Sequence, residues 1–305
     1  MEPPPLILFV PGLRPKPDPA THTAEMLRCL LEGIRRINPQ ICADLESLSE
    51  CFEVVAWNFP FYGEYHDIEV DRPGIEAVLQ QQTALAIDRA EAGSWRRRIL
   101  RGVYKAADRL PFLIPQLATE KMELHLQDLL RYVRNRKGIA DSTRRLLVAP
   151  LLEAAAQRRP TLLIGHSMGS VIASDVLWQL SHELVELFQL DLYLTLGTPL
   201  GQKYIQNRLL GSKREGVGRF PTNISNWINI AAVGDLTAID MEITSDFLEM
   251  KDLGLIDDIR DYATYNYFRN DGRGGELNVH AEYGYLINDI TARVISDWWA
   301  TKRGL

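Results

Sequence analysis

The stretch Thr161–Ser170, TLLIGHSMGS, decides how this chain folds. A short apolar run at Leu162–Ile164 leads straight into GHSMG at 165–169, and a helix-compatible segment, Val171–Leu180, follows at once. A G-x-S-x-G pattern between a strand and a helix is typical of a sharp turn that holds a serine hydroxyl clear of the backbone. The two glycines suit such a turn, because a Cβ at either position would crowd the neighbouring strand or helix. The pattern predicts a nucleophilic Ser167, and the alternative is an ordinary glycine-rich turn.

Length, charge and cysteine content restrict the class of protein. The 305 residues suffice for one large domain or two small ones. With 46% hydrophobic and 24% charged residues, the composition is that of a soluble globular protein. The net charge of −6 argues against a nucleic-acid binder. Three cysteines without a C-x-x-C pair suggest neither a disulfide framework nor a zinc site, and we expect no metal.

The apolar segments also bear on where the protein resides. No uninterrupted apolar stretch reaches the ~18 residues expected of a membrane span. Met1–Pro5 lacks the basic start of a signal peptide, and the apolar run Leu6–Val10 that follows is too short for one. We therefore expect a cytoplasmic protein.

Short apolar runs alternate with helix-length segments along most of the chain. This alternation predicts an α/β fold, a mostly parallel sheet of about six strands with helices on both faces. The runs are continuous in hydrophobicity, as in strands that are covered on both sides. The predicted strands are Leu6–Val10, Phe52–Trp57, Thr161–Ile164, Leu190–Leu196, Ile224–Val233 and Tyr262–Phe268. The predicted helices are Thr21–Ile37, Ser142–Gln157, Met168–Leu180 and Glu282–Trp299.

Residues 74–137 interrupt this alternation, since they contain helical stretches but no convincing strand. One crossover needs far fewer residues, so we predict a helical insert between core segments 1–73 and 138–305. The region is basic, with 13 Lys or Arg against 5 Asp or Glu in residues 94–145. Residues 95–101, WRRRILR, mix basic and apolar side chains as an interfacial helix does. The segment is either a solvated helical face or a surface that meets anionic lipid or an acidic substrate.

With its serine turn and its alternation of strands and helices, the chain resembles the α/β-hydrolase superfamily, particularly serine esterases and lipases. The resemblance covers most of the chain outside residues 74–137. It implies a triad in the chain order Ser, acid, His, in which the imidazole takes the serine proton and the acid orients the imidazole. The chain opens almost directly on its first predicted strand. We therefore expect the fold without the two antiparallel strands that often begin it.

His280 is the histidine that this chain order leaves as the base. His22, His66 and His125 come before the serine turn, and the ring of His166, inside the turn, cannot fold back onto its neighbour. His182 lies 15 residues beyond Ser167, roughly 22 Å away along one helix. His280 stands in a loop-like stretch before the final amphipathic helix, where the family carries its histidine. Tyr283 matches an aromatic residue that the family often has three positions further on.

Asp235 is the first candidate for the acid. It follows the predicted strand Ile224–Val233, and an aspartate at the carboxyl end of a parallel strand can reach the crevice of the site. Asp240, five residues on, is the alternative acid. Helix capping or a solvated loop position would account for either residue. Asp191 precedes its strand and would lie at the wrong end of the sheet.

Acyl transfer also requires preorganised N–H donors for the oxyanion. The resemblance implies one donor at the backbone of Met168, directly after the nucleophile, and another in the loop after the first strand. There the family usually has His-Gly, whereas this chain has Pro11 followed by Gly12. Proline has no N–H, so the candidate oxyanion loop is Gly12-Leu13, with Gly12 allowing a close backbone approach and Leu13 supplying the N–H.

The resemblance implies hydrolysis of a small-molecule or lipid carboxylic ester through an acyl-enzyme, with no cofactor. A thioesterase, an amidase or an acyltransferase would use the same triad. A different class of protein, a non-catalytic binder of acyl ligands, would keep the same scaffold. In a lipase, the basic insert would act as a lid or cap and make transient contact with an anionic membrane surface.

Overall fold

A computed structural model describes residues 3–109, 120–183 and 188–305. Its strands are β1 (Leu6–Val10), β2 (Phe52–Val54), β3 (Thr161–His166), β4 (Leu190–Leu196), β5 (Ile224–Ala232) and β6 (Asp258–Thr264). They form one sheet in the order β2-β1-β3-β4-β5-β6, and every neighbouring pair is parallel. The predicted α/β class with about six strands is confirmed, and the sheet described is fully parallel.

Helices precede and follow most strands. They are α1 (Pro19–Ile37), α2 (Pro39–Ser47), α3 (Asn58–Tyr62), α4 (Ile68–Gln80), α5 (Ala86–Ala92), α6 (Trp95–Arg109), α7 (Glu120–Val133), α8 (Ile139–Ala156), α9 (Met168–His182), α10 (Lys203–Gln206), α11 (Leu248–Asp252), α12 (Glu282–Leu286) and α13 (Asp289–Arg303). Local sequence sets their ends: Asp18 accepts a hydrogen bond from the Thr21 N–H, and Pro19 stands in the first turn of α1. None of the helices in these described ranges has the length and apolar character needed to span a membrane.

The core lies in two clusters, one on each face of the sheet. Alternate residues of β1 divide between them: Ile7 and Phe9 belong to one cluster, and Leu6 and Leu8 to the other. This division follows from the two-residue period of a strand. Helices α1 and α13 contribute to the first cluster, and α8 and α9 to the second. Because both faces are covered, strands such as β1 and β4 consist almost wholly of apolar residues.

Several predicted element boundaries differ from the structure, and those of the last strand and the final helix differ most. The last strand is β6, Asp258–Thr264, rather than Tyr262–Phe268. It is an edge strand with a polar sequence, whereas Phe268 lies beyond its end and packs into the core from a loop. The predicted final helix from Glu282 is instead two helices. Helix α12 ends at Leu286, and the Asn288 side chain caps the N-terminus of α13 by accepting from the Ile290 N–H.

The region predicted as an insert packs closely on the rest of the protein. Helix α4 runs across the predicted boundary between residues 73 and 74, and its Ile75 and Val78 are buried in the first core cluster. Helix α7 places Tyr132 in the second cluster, where the hydroxyl donates to Asp175 on α9 at 2.9 Å. Residues 110–119 of the predicted insert lie outside the described part of the chain.

Candidate active site

The predicted site residues meet at the carboxyl edge of the sheet. Ser167 follows β3, Asp235 follows β5, and Gly12 follows β1. Because parallel strands all end at the same edge, loops from distant parts of the sequence converge there. His280, in the loop before α12, is brought to the same place.

The serine turn has an unusual backbone that its surroundings hold in place. Ser167 has φ 53° and ψ −126°, a conformation that L-residues rarely adopt. Its N–H donates to the Leu196 carbonyl at 3.0 Å. A Cβ on Gly165 would lie 2.6 Å from the Ser170 Cα, and one on Gly169 would lie 2.0 Å from the Val10 carbonyl oxygen. The two glycines therefore let β3 turn into α9 within a few residues.

Ser167, His280 and Asp235 form a continuous hydrogen-bonded chain. His280 Nε2 lies 2.9 Å from Ser167 Oγ, and His280 Nδ1 lies 2.8 Å from Asp235 Oδ2. A carboxylate only accepts hydrogen bonds, so Nδ1 carries the proton and Nε2 is left to accept the serine proton. Asp235 is fully buried, whereas the His280 ring is partly open to solvent. Chemically, this arrangement can generate a serine nucleophile.

Asp235 is held as a carboxylate by donors from three directions. Besides His280, the Tyr285 hydroxyl donates to Oδ2 at 2.7 Å, and the Thr237 N–H donates to Oδ1 at 2.8 Å. Burial works against ionisation, but His280 and these hydrogen bonds outweigh it and lower the pKa of Asp235. Tyr285 was not predicted as a site residue. The predicted aromatic residue, Tyr283, instead packs against the Phe268 ring.

The alternative acid, Asp240, has a different environment. Its carboxylate forms an ion pair with Lys105 of α6 and is about one-third exposed, at 35%. The structure therefore brings Asp235 to His280 and Asp240 to α6, although the two aspartates are only five positions apart.

The loop after β1 lies against Ser167 and is held by hydrogen bonds that its carbonyl groups accept. The Asn58 side-chain amide donates to the carbonyls of Gly12 and Arg14, each at 2.8 Å. A Cβ on Gly12 would lie 2.9 Å from the Ser167 Cβ, so only glycine permits this approach. Within the described residues, the Leu13 N–H has no acceptor. Met168 begins α9, and the first N–H groups of a helix lack intrahelical acceptors.

A cavity of about 780 Å³ opens beside Ser167 and His280. Part of its wall is apolar, formed by Leu13, Leu129, Ile205, Leu236 and Ile239. Such a volume and such a wall suit a small organic ligand with an apolar group.

Helix α6 covers the loops that carry the acid and the base. Arg97 donates to the Gly234 carbonyl at 3.2 Å and to the Leu277 carbonyl at 3.0 Å. Arg101 donates to the Ile239 carbonyl at 2.8 Å. Arg97 also lines the cavity, so this helix forms part of the wall above the site.

Comparison of the chain with protein-family models, with curated proteins and with solved structures found no match in any of the three. In the part of the chain that the structure describes, no group of three or more His, Cys, Asp or Glu side chains could hold a metal ion. A function for this protein therefore has to be inferred from the geometry of the site itself.

Proposed function

We propose that this protein is a serine hydrolase that cleaves carboxylic esters through an acyl-enzyme. The observation that carries the proposal is the hydrogen-bonded chain from Asp235 through His280 to Ser167. The chain order Ser, Asp, His and a serine turn between β3 and α9 support an α/β-hydrolase fold. A parallel sheet alone would not carry this proposal, since one fold serves many functions.

In the proposed reaction, Ser167 Oγ attacks the ester carbonyl carbon while its proton passes to His280 Nε2. The negative charge of Asp235 stabilises the imidazolium that forms. The N–H groups of Met168 and Leu13 bind the oxyanion of the tetrahedral intermediate. Collapse of this intermediate breaks the C–O bond, and His280 gives its proton to the departing alcohol. A water then attacks the acyl-enzyme by the same route, releasing the acid and restoring the Ser167 hydroxyl.

The first test is labelling with a fluorophosphonate probe and hydrolysis of p-nitrophenyl esters. We expect wild type to be labelled and active, and Ser167→Ala to lose both properties. Ser174→Ala is a matched control, since Ser174 is a mostly buried serine on the same helix, α9. Labelling of Ser167→Ala at the wild-type rate would overturn the proposal. A protein that binds acyl ligands but is not labelled would instead be a non-catalytic binder.

The leaving group is tested with matched thioester and amide substrates. The apolar part of the cavity wall gives a place for an acyl chain. We expect the ester to have the highest kcat/KM. A thioester preferred by more than about tenfold would identify a thioesterase, and transfer to an added alcohol in preference to water would identify an acyltransferase.

The outer face of α6 supports a further part of the proposal, contact with an anionic lipid surface. Trp95 and Ile99 are 66% and 57% exposed, and Arg96 and Arg98 are exposed beside them. Apolar side chains flanked by arginines are typical of helices that bind a membrane interface. With its inner face held by Arg97 to the site loops, α6 would act as the lid of a lipase-like enzyme.

Vesicle binding tests this part separately. We expect the protein to bind anionic vesicles better than neutral ones, and 1 M salt to weaken the binding. Ile99→Ser should reduce it, whereas Leu248→Ser, at an exposed leucine of α11, should not. Absence of binding, or binding that salt leaves unchanged, would remove the electrostatic lid from the proposal.

A further inference from the structure

A buried charged cluster lies beside the proposed triad and takes no part in its proton transfer. Its centre is Glu282, only 4% exposed and two residues after His280. Glu282 Oε1 lies 2.9 Å from Lys16 Nζ and 2.8 Å from His22 Nε2. Glu282 Oε2 lies 3.5 Å from His166 Nδ1. Burying a carboxylate this deeply costs free energy unless the charge is paired, and Lys16 and His22 supply the pairing here.

His166 connects this cluster to the base. Its Nε2 lies 2.9 Å from the backbone carbonyl oxygen of His280. A carbonyl only accepts hydrogen bonds, so the His166 Nε2–H donates. His166 immediately precedes Ser167 and is buried. One hydrogen bond therefore joins the serine turn directly to the backbone of the residue that would deprotonate it.

The other side of the His166 ring is confined. Burial lowers the pKa of His166, and the nearby His280 adds to this effect while Glu282 opposes it. On this side the ring faces the Glu282 carboxylate, with Nδ1 3.5 Å from Oε2. The His280 ring lies beside the His166 ring, with centroids 4.7 Å apart. Gly12 also packs against the His166 ring, since a Cβ added to Gly12 would lie 3.0 Å from His166 Nδ1.

We propose that His166 is a positioning residue that holds His280 in reach of Ser167, and that Glu282, anchored by Lys16 and His22, fixes the His166 ring. The effect on rate rests on the proposed function, whereas the effect on His280 geometry does not. Within the described residues, the other hydrogen bond of the His280 backbone is the longer one from its N–H to Asn278 Oδ1, at 3.2 Å. Displacement of a catalytic group by about 1 Å can cost roughly a hundredfold in rate.

The kinetic test uses two replacements of His166 and one matched control. His166→Leu removes the donor, whereas His166→Gln keeps an N–H near the position of Nε2. His182 makes the same kind of bond, from Nε2 to the Phe220 carbonyl at 2.8 Å, away from the site. In His166→Leu we expect kcat to fall about a hundredfold, with KM within about twofold of wild type. In His166→Gln we expect kcat to recover to within about tenfold of wild type. In His182→Leu we expect kcat to stay unchanged.

Three kinetic results would overturn the inference. They are a wild-type kcat in His166→Leu, a loss in His166→Gln as large as that in His166→Leu, or an equal loss in His182→Leu. If His166→Leu does not fold, the comparison of His166→Gln with Glu282→Gln replaces it. We then expect Glu282→Gln to lower kcat by at least about tenfold, because the ring would lose its anchored neighbour. A wild-type kcat in Glu282→Gln would remove the cluster from the proposal.

A second readout separates this inference from the proposed function. The His280 Nδ1 proton bonded to Asp235 should give a far-downfield proton NMR resonance, which is observable without substrate. We expect the resonance to be sharp in wild type and His182→Leu, broadened or shifted in His166→Leu, and restored in His166→Gln. An unaffected resonance in His166→Leu would refute the positioning role. A resonance that responds as expected in a protein that fluorophosphonate does not label would refute the hydrolase and keep the positioning role.

Discussion

The change Asp235→Asn tests the acid with an isosteric replacement whose orientation follows from the structure. Asp235 Oδ1 accepts from the Thr237 N–H at 2.8 Å, so in the variant the amide oxygen must occupy this position. The amide nitrogen then takes the place of Oδ2, where it faces His280 Nδ1 and the Tyr285 hydroxyl. An amide nitrogen only donates, so His280 Nδ1 must become the acceptor.

This reversal removes the base. With Nδ1 unprotonated, the single proton of the neutral imidazole moves to Nε2, which points at Ser167 Oγ from 2.9 Å. The ring then cannot accept the serine proton. In a serine triad the wrong tautomer lowers kcat about 10⁴-fold, which corresponds to about 5 kcal/mol of barrier. We expect a loss of this size in Asp235→Asn.

The measurement is kcat for a p-nitrophenyl ester together with the rate of fluorophosphonate labelling. Asp240→Asn is the matched control, because it makes the same chemical change on the carboxylate that pairs with Lys105. We expect Asp240→Asn to stay within about twofold of wild type, as for a partly exposed ion pair. A loss of less than tenfold in Asp235→Asn, or a larger loss in Asp240→Asn, would refute the assignment of the acid.

Three further outcomes concern stability and reactivity. A Cβ on Gly169 would lie 2.0 Å from the Val10 carbonyl oxygen, so Gly169→Ala should lower the free energy of unfolding in urea by about 3 kcal/mol or more. Gly102→Ala, on an open face of α6, should leave it unchanged or raise it by up to ~1 kcal/mol, and equal effects would contradict the close packing. Burial raises the pKa of all three cysteine thiols. The native protein should therefore resist a thiol reagent at pH 8, and the urea-unfolded protein should react fully. Rapid reaction of the native protein would contradict this burial. Burial opposes the ionisation of Glu282, but Lys16 and His22 hold its pKa well below the usual value. Its carboxylate therefore stabilises the fold above the unfolded-state pKa of about 4.3 and loses this contribution as the pH falls towards the folded-state pKa. The Tm difference between wild type and Glu282→Gln should be full at pH 6–8 and shrink below about pH 4, and a gap that does not change with pH would count against the ion pairs.

Strands that are buried on both faces were the most predictable part of the fold. The bounds of β1 and β4 agree with the sequence prediction, because continuous apolar runs are required wherever helices cover both faces. The edge strand β6 was less predictable. Its residues Asp258 and Arg260 are polar and pair with each other at the surface, so hydropathy pointed to the aromatic residues that come after them.

The residues proposed for catalysis were recognisable because each has a local signature. Ser167 has its glycines, and Asp235 directly follows a strand. Tyr285 and Asn58 have no such signature, since their contacts to Asp235 and Gly12 span 50 and 46 residues. Likewise, the ion pair of Asp240 with Lys105 has no local signature, because Lys105 approaches from a helix that the sequence could not orient.

The long separations between the site residues have a consequence for folding. The contact between Ser167 and His280 spans 113 residues, and the contact between His280 and Asp235 spans 45. Such non-local contacts form only after most of the chain-ordering entropy has been lost, so they arise late in folding. A reactive Ser167 would therefore report on completion of the fold. Time-resolved labelling during refolding would count only molecules in which loops more than a hundred residues apart in the sequence have met.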